Sequence, residues 1–189
     1  MTGLLARVLR VLLTPQILVM LAKVYVPVLF PLTFLLALLS HRVDRLLGLP
    51  SLLPHPWPLV AAVASFSLGA TIWGIAYQAL VYEGKGSPSP TAGRTVQLVT
   101  TGIYGLCRNP SVWGKFFGVL AVGLAIDSFS FTVILVPLLL AGSLVEKVWR
   151  QEPQNIAIFG EDYLKYRNEV PFFVPWKILV PRSRGTANR

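Results

Sequence analysis

Two clusters of polar and charged residues in this sequence flank one apolar hairpin. The first is the segment Thr101–Gly114, which includes Tyr104, Arg108 and Asn109, and the second lies beyond the hairpin. The second cluster contains Arg150, Gln151-Glu152-Pro153, Phe159-Gly160-Glu161-Asp162-Tyr163 and Tyr166. If the two apolar segments pack as antiparallel helices, both clusters lie at the same end. Charges and unpaired backbone groups are costly near lipid, so the pattern predicts a functional polar pocket at a membrane surface.

The composition is typical of an integral membrane protein. Of 189 residues, 54% are hydrophobic and only 13% are charged, whereas soluble domains are about one-quarter charged. The net charge is +9, but the basic residues flank apolar spans, which indicates topology and attraction to anionic lipid rather than nucleic-acid binding. A single cysteine, Cys107, excludes an internal disulfide and fits an intracellular active face.

The apolar pattern predicts an all-α, polytopic membrane protein. We expect about four transmembrane helices, an interfacial helix before them and a cytosolic helix after them. The predicted elements are the interfacial helix Met1–Lys23, the spans Val24–Ser40, Trp57–Tyr82, Pro110–Ile126 and Phe131–Val145, and a helix leaving the membrane through Glu146–Arg150. Proline residues, Pro27 and Pro31, are expected to kink the first span.

The connections determine the predicted orientation. His41–Pro56 and Glu83–Arg108 are polar, and Asp127–Ser130 is expected to form a tight turn. Four spans place both termini on one side of the membrane together with the Glu83–Arg108 loop, and these segments hold most of the lysine and arginine residues. The positive-inside rule therefore predicts that both termini and both polar clusters are cytoplasmic, in a membrane that the sequence does not identify.

Several motifs in the C-terminal half resemble one enzyme superfamily. Leu98-Val99, Gly102, Tyr104, Arg108-Asn109-Pro110 and Gly114 resemble its signature, and Gly84-Lys85-Gly86-Ser87-Pro88-Ser89-Pro90 resembles the segment that precedes it in bacterial members. Glu152-Pro153, Phe159-Gly160, Tyr163, Tyr166 and Val170-Pro171 resemble its second motif. The superfamily is that of the isoprenylcysteine carboxyl methyltransferases and phospholipid methyltransferases. The length predicts one membrane domain over 1–189, and the apolar pattern places an interfacial helix in 1–23 and the first two spans in 24–82. The resemblance covers roughly Gly84 to Pro175 and implies a methyltransferase-like region in 83–175, followed by a basic tail in 176–189.

The resemblance also implies a cofactor and roles for particular residues. The methyl donor would be S-adenosylmethionine and the acceptor an amphiphilic or lipid-like molecule. Arg108 would hold the donor carboxylate and Glu152 a cationic part of the donor, and both are predicted to be catalytic. The predicted cofactor-binding residues are Leu98, Val99, Gly102, Tyr104, Arg108, Asn109, Pro110, Gly114 and Glu152. Arg150 and Gly118 are predicted to bind the acceptor, and nothing in the sequence resembles a metal site.

Three departures from the family pattern bear on activity more than on fold. Val112 stands where the family usually has tyrosine, Gln151 replaces the first residue of a glutamate pair, and Asn109 replaces the histidine of the best-known members. An alternative function is therefore a non-catalytic membrane scaffold or lipid-binding protein of the same fold. A transporter is disfavoured, because the second and fourth spans offer only serine, threonine and glutamine at mid-membrane.

Structural interpretations of the same residues remain open at the level of sequence. Arg108 could serve as a positive-inside anchor, Tyr104 as an interfacial aromatic residue and Glu152 as solvated surface. Glu146, Lys147 and Arg150 fit a charge cluster on a helix surface, and Asn109-Pro110 fits a helix cap with a proline in the first turn. The small residues Gly114, Gly118, Ala121 and Gly123 fit either a groove for an acceptor entering from the bilayer or close helix packing. The acceptor and the oligomeric state are not determined.

Overall fold

All regular elements in the described part of the chain are helical. The computed structural model describes residues 30–85 and 95–175, and these ranges contain no strand. The all-α prediction is therefore confirmed for them. The predicted interfacial helix Met1–Lys23 and the basic tail 176–189 lie outside the described residues, as does Pro27. The division into regions of one membrane domain stays a prediction.

The described helices follow the predicted order. They are α1 Phe30–Leu47, α2 Trp57–Tyr82, a 3-10 turn Gly102–Gly105, α3 Pro110–Ala125, a π-helical segment Ser130–Leu135, α4 Val136–Glu146, a second π-helical segment Lys147–Gln151 and α5 Glu152–Glu169. The elements from Ser130 to Glu169 form one continuous helix of 40 residues. Neither π-helical segment was predicted from the sequence.

Two helices in the described ranges are long and apolar enough to cross a membrane. They are α2, with 26 residues, and the continuous helix Ser130–Glu169. Only 22% of the most apolar window of α2, and 11% of that of Ser130–Glu169, is buried within the protein. Apolar faces that the described residues leave uncovered are consistent with membrane association. At 16 residues α3 is shorter, so the count of four spans stays a prediction.

Glycine residues bring α2 and α3 into backbone contact. A Cβ atom placed on Gly69 would lie 2.8 Å from the carbonyl oxygen of Gly114, and the Ser65 hydroxyl donates to the carbonyl of Phe117 at 2.8 Å. Residue numbers rise on one helix as they fall on the other, so the two helices are antiparallel. This packing places the start of α3, and Arg108 just before it, beside the cytoplasmic end predicted for α2.

Alanine is expected to destabilise the protein at Gly114 but not at Gly118. A Cβ atom at Gly114 would lie 2.7 Å from Trp73 Cβ and 3.0 Å from the Gly69 carbonyl oxygen, whereas one at Gly118 meets nothing within 4 Å. We expect Gly114→Ala to lower the free energy of unfolding by about 1–3 kcal/mol through overpacking. Gly118→Ala should be neutral or stabilising, because alanine favours a helix by up to about 1 kcal/mol over glycine. Thermal unfolding in detergent compares the two, and equal destabilisation would contradict the backbone contact.

The opposite end of the fold is tied together by a buried carboxylate. Asp44 is 7% exposed, and it accepts hydrogen bonds from the Ser128 hydroxyl and from the backbone N–H of Ser130 at 3.0 Å. Asp127 similarly accepts from the Ser51 hydroxyl at 2.6 Å. The prediction that residues 41–56 form one polar connection was wrong for the first seven, because α1 continues to Leu47. These hydrogen bonds compensate the burial of the carboxylate.

The helix that carries the second polar cluster is irregular in two places. The π-helical segment Lys147–Gln151 joins α4 to α5, and α5 bends at Gly160, whose φ of 56° and ψ of −130° are not helical. A π-helical turn rotates the following residues relative to an α-helix, and such turns are frequent at functional sites. Gly160 allows the bend because it has no Cβ atom. Phe159 and Gly160 therefore mark the point where one helical stretch ends and the next begins.

Candidate functional site

The loop before α3 is anchored to the end of α2. The Gly84 carbonyl accepts hydrogen bonds from the backbone N–H groups of Val96 at 2.9 Å and Gln97 at 3.1 Å. The Thr101 hydroxyl donates to Glu83 Oε2 at 2.6 Å. These contacts fix where the chain enters the 3-10 turn and hence where Arg108 begins the approach to α3.

Tyr104 is a packed residue in this loop. Its ring is 7% exposed and lies in a cluster with Ala76 of α2 and Val99, and its carbonyl oxygen accepts a hydrogen bond from the Tyr166 hydroxyl at 2.7 Å. Burial, reinforced by the neighbouring Tyr166 and Cys107, raises the pKa of Tyr104 well above its usual value, and burial also raises the pKa of Cys107. Both groups are therefore neutral at physiological pH.

Arg108 and Glu152 meet at the centre of the two polar clusters. Arg108 Nη1 lies 2.6 Å from Glu152 Oε1, and the two side chains are 9% and 14% exposed. The guanidinium carbon of Arg108 lies 5.4 Å from the ring centroid of Phe172, within the range of a cation–π contact. The structure thus brings together the two residues that the sequence singled out, although they are 44 positions apart.

This ion pair leaves buried polar atoms without partners. Arg108 Nη1 and Glu152 Oε1 pair with each other without the geometry of a hydrogen bond, and Arg108 Nε and Gln151 Oε1 make no hydrogen bond within the described residues. The Tyr163 side chain, which also interacts with Asn155, adjoins the pair. Such unsatisfied groups are uncommon in folded proteins, because each costs about 1–3 kcal/mol. A bound molecule with its own donors and acceptors would satisfy them.

The segment after α5 covers the start of α3. The backbone N–H of Arg108 donates to the Pro171 carbonyl at 2.9 Å, and the Asn109 amide donates to the Phe172 carbonyl at 3.1 Å. Trp113 donates through Nε1 to the Phe173 carbonyl at 3.0 Å, and its ring stacks on that of Phe173 with centroids 4.4 Å apart. Three donors near the start of α3 thereby hold the chain downstream of α5 against this helix start.

The structure corrects the local role expected for Asn109. Its side chain makes no capping hydrogen bond, because the amide is directed to the Phe172 carbonyl instead. Pro110 does occupy the first position of α3, as expected. Trp113 lies in the first polar segment, but neither it nor the Phe172-Phe173 pair was predicted as a site residue. The sequence signal for the Phe172-Phe173 pair was the aromatic cluster Phe172-Phe173-Val174-Pro175-Trp176 beyond the second motif.

The other predicted cofactor-binding residues lie in different settings. Leu98 packs against the cluster of Tyr163, Tyr166 and Val170, while Gly102, at a φ of 57°, is exposed and has open space where a Cβ atom would be. Val99 lies in the cluster with Tyr104, and Gly114 faces α2. Their contribution to donor binding stays a prediction.

The two predicted acceptor-binding residues differ in position. The Arg150 side chain is 62% exposed and pairs with Glu146 one turn away, with Nη2 at 2.7 Å from Oε1. It makes no contact with the Arg108–Glu152 pair in the structure. Gly118 is half-buried, and the space beside its Cα is open, whereas Gly114 and Gly123 lie in close helix contacts.

Comparisons with known proteins identify the family. The profile of the phospholipid methyltransferases matches residues 57–159, which is more than half of the chain. A protein-S-isoprenylcysteine O-methyltransferase from Schizosaccharomyces pombe is 33% identical to the chain over 84 residues. That match covers 44% of this chain and 34% of the yeast protein, so the chain spans about one-third of its length. No solved structure matches the chain.

This chain, which is helical in its described part and contains apolar helices long enough to cross a membrane, belongs to the phospholipid methyltransferase family. The resemblance inferred from the sequence is thereby confirmed, and the similarity to the yeast O-methyltransferase agrees with it. The matched region 57–159 contains α2, α3 and α4, together with Arg108 and Glu152.

Proposed function

We propose that this protein transfers a methyl group from S-adenosylmethionine to a lipid-like or prenylated acceptor at the cytoplasmic membrane face. The observation that carries the proposal is the nearly buried Arg108–Glu152 pair, whose unsatisfied atoms lie where both motifs of a methyltransferase family meet. Family membership supports the reaction type, and the apolar helices support the membrane setting. The orientation rests on the distribution of basic residues.

The pocket residues fit the proposed donor. S-adenosylmethionine carries a carboxylate, an ammonium group and a cationic sulfonium, and it supplies an activated methyl group when bound. Arg108 Nε has no hydrogen-bond partner within the described residues and suits a carboxylate, and the carboxylate of Glu152, which is paired with Arg108 Nη1, suits a cation. Gln151 Oε1 adds one more buried acceptor beside them. The Gln151 departure therefore removes a charge but retains hydrogen-bonding capacity.

The protein's contribution to the reaction would be alignment, exclusion of water and charge. Methyl transfer is an in-line displacement, so the acceptor atom must face the methyl group at close range. The cover formed by Phe172 and Phe173 restricts water at Arg108. A carboxylate acceptor needs no base, whereas an ammonium acceptor must first lose a proton.

Calorimetry with S-adenosylhomocysteine on the detergent-purified protein tests the proposal. We expect saturable binding at one site, because the demethylated donor keeps the carboxylate and ammonium that the pocket is proposed to hold. Methyl transfer from labelled S-adenosylmethionine would then be measured with a prenylcysteine acceptor and with a phospholipid amine. Absence of binding by folded protein would favour the alternative of a non-catalytic scaffold.

A further inference from the structure

A second group of charges lies outside the Arg108–Glu152 pair, on the facing sides of α3 and the helix after α4. Three cations, Lys115, Lys147 and Arg150, share one carboxylate, Glu146. Arg150 makes the closest contacts with that carboxylate, with Nε at 2.9 Å and Nη2 at 2.7 Å from Oε1, while Lys147 Nζ is 3.6 Å from Oε2. The group therefore keeps an excess of positive charge.

Neither lysine has a carboxylate as close as the one that Arg150 contacts, since Lys147 Nζ is 3.6 Å from Glu146 Oε2. Lys115 makes no ion pair within residues 30–85 and 95–175, and its charge is close enough to that of Lys147 for the two to repel. The Lys147 side chain is only 12% exposed. Snorkelling to the headgroup region accounts for an exposed lysine such as Lys115. It does not account for Lys147, which is nearly buried and lies close enough to Lys115 for the two charges to interact.

An apolar groove leads away from this lysine pair. A cavity of about 30 Å³ lies between α3 and α4, with Phe116 and Val119 on one side, Leu139 and Leu140 on the other, and Lys115 and Ser143 at its polar end. Leu139 is 40% exposed, so the groove borders the surface that faces the bilayer. The cavity itself holds only a small part of an acyl chain, and the rest would lie along the exposed seam.

We propose that Lys115 and Lys147 bind the phosphate of an anionic phospholipid, with an acyl chain of that lipid lying in the groove between α3 and α4. One phosphate would offset the excess positive charge of the group, and lysine binds phosphate as a point charge. The groove has its apolar lining at one end and the cations at the other. A lipid has the same order along its length, with the acyl chain at one end and the phosphate at the other. This inference goes beyond the proposed methyl transfer, because the lipid is a resident ligand and needs no acceptor group.

Lipid retention by the full chain tests the site. The protein would be reconstituted in phosphatidylcholine nanodiscs with or without phosphatidylglycerol, and co-purifying lipid would be counted by native mass spectrometry after transfer to detergent. We expect wild type to retain phosphatidylglycerol selectively. The double variant Lys115→Gln with Lys147→Gln should bind it about 10- to 30-fold more weakly, given roughly 1 kcal/mol for each lysine near anionic lipid.

Two controls separate a specific site from general surface charge. Lys165→Gln with Arg167→Gln removes the same net charge from exposed positions on α5, and it should retain the lipid as wild type does. Lys147→Arg keeps the charge and should preserve binding of phosphatidylglycerol. This variant provides a measurement if the double variant fails to fold. Equal loss of lipid in both double variants, or no preference for phosphatidylglycerol in wild type, would overturn the proposal.

The outcome is independent of the methyl-transfer proposal. Affinity for S-adenosylhomocysteine would be measured on the same preparations. Lipid selectivity without donor binding would contradict methyl transfer and leave the lipid site supported. Donor binding without lipid selectivity would contradict the lipid site alone.

Discussion

Replacing Glu152 by glutamine is expected to remove most methyl-transfer activity while leaving the protein folded. The substitution keeps the size of the side chain and one oxygen that can accept from Arg108, but it removes the negative charge beside a nearly buried guanidinium. Loss of a preorganised electrostatic group in a water-poor site typically costs about 10²–10³ in turnover. We therefore expect turnover to fall about 100-fold or more, measured with labelled S-adenosylmethionine at saturating acceptor.

The matched control for this substitution is Glu161→Gln. Glu161 is exposed on the same helix, so its amide variant removes an equal charge without reaching the pocket. Turnover of this control should match wild type, and thermal unfolding should show all three proteins folded. Unchanged turnover in Glu152→Gln would return Glu152 to the role of a structural counterion for Arg108.

The pairing of Arg108 with Glu152 is a tertiary contact that could be predicted from the sequence. Their meeting follows from a simple argument, since two polar clusters at the same end of antiparallel apolar segments lie side by side. The bounds of α2 were equally accessible, because Trp57 and Tyr82 delimit an uncharged stretch long enough to cross a bilayer. Hydrophobic periodicity and charge placement carry this information locally, without knowledge of tertiary contacts.

Contacts between distant residues account for what the sequence did not predict. The helix α1 continues beyond its apolar part, where Asp44 accepts hydrogen bonds from Ser128 and Ser130. These partners lie more than 80 positions away, so the local sequence did not predict the extension. Asn109 turns from its expected capping role to the Phe172 carbonyl, 63 positions away. No local pattern encodes these choices, because a cap and a tertiary hydrogen bond use the same amide group.

The π-helical segment Lys147–Gln151 limited the prediction in a different way. An α-helical pattern assumes 3.6 residues per turn, so one wider turn changes which later residues share a face. Arg150, whose binding of the acceptor stays a prediction, lies on an exposed face with Glu146, whereas Lys147 is nearly buried. The interpretation of this charge cluster as helix surface was therefore wrong for Lys147.

Replacing Arg108 by alanine is expected to weaken binding of S-adenosylhomocysteine by about 2–4 kcal/mol, or roughly 30- to 1,000-fold in Kd. The side chain is 9% exposed, so its charge-assisted contacts with a ligand would form largely out of water. Removing the Arg108 side chain also leaves Glu152 without its counterion. The unpaired carboxylate of Glu152 would then repel the carboxylate of the donor. Isothermal calorimetry on folded, detergent-purified variants measures the change directly.

Two further variants separate donor binding from a purely topological role for Arg108. Arg108→Lys keeps the charge but not the planar fork, so it should recover only part of the affinity. Arg167→Ala removes an exposed cation from α5 and should bind the donor product as tightly as wild type. If Arg108→Ala folds and binds with unchanged affinity, the guanidinium serves membrane topology, and the unsatisfied atoms around Glu152 would need a different ligand.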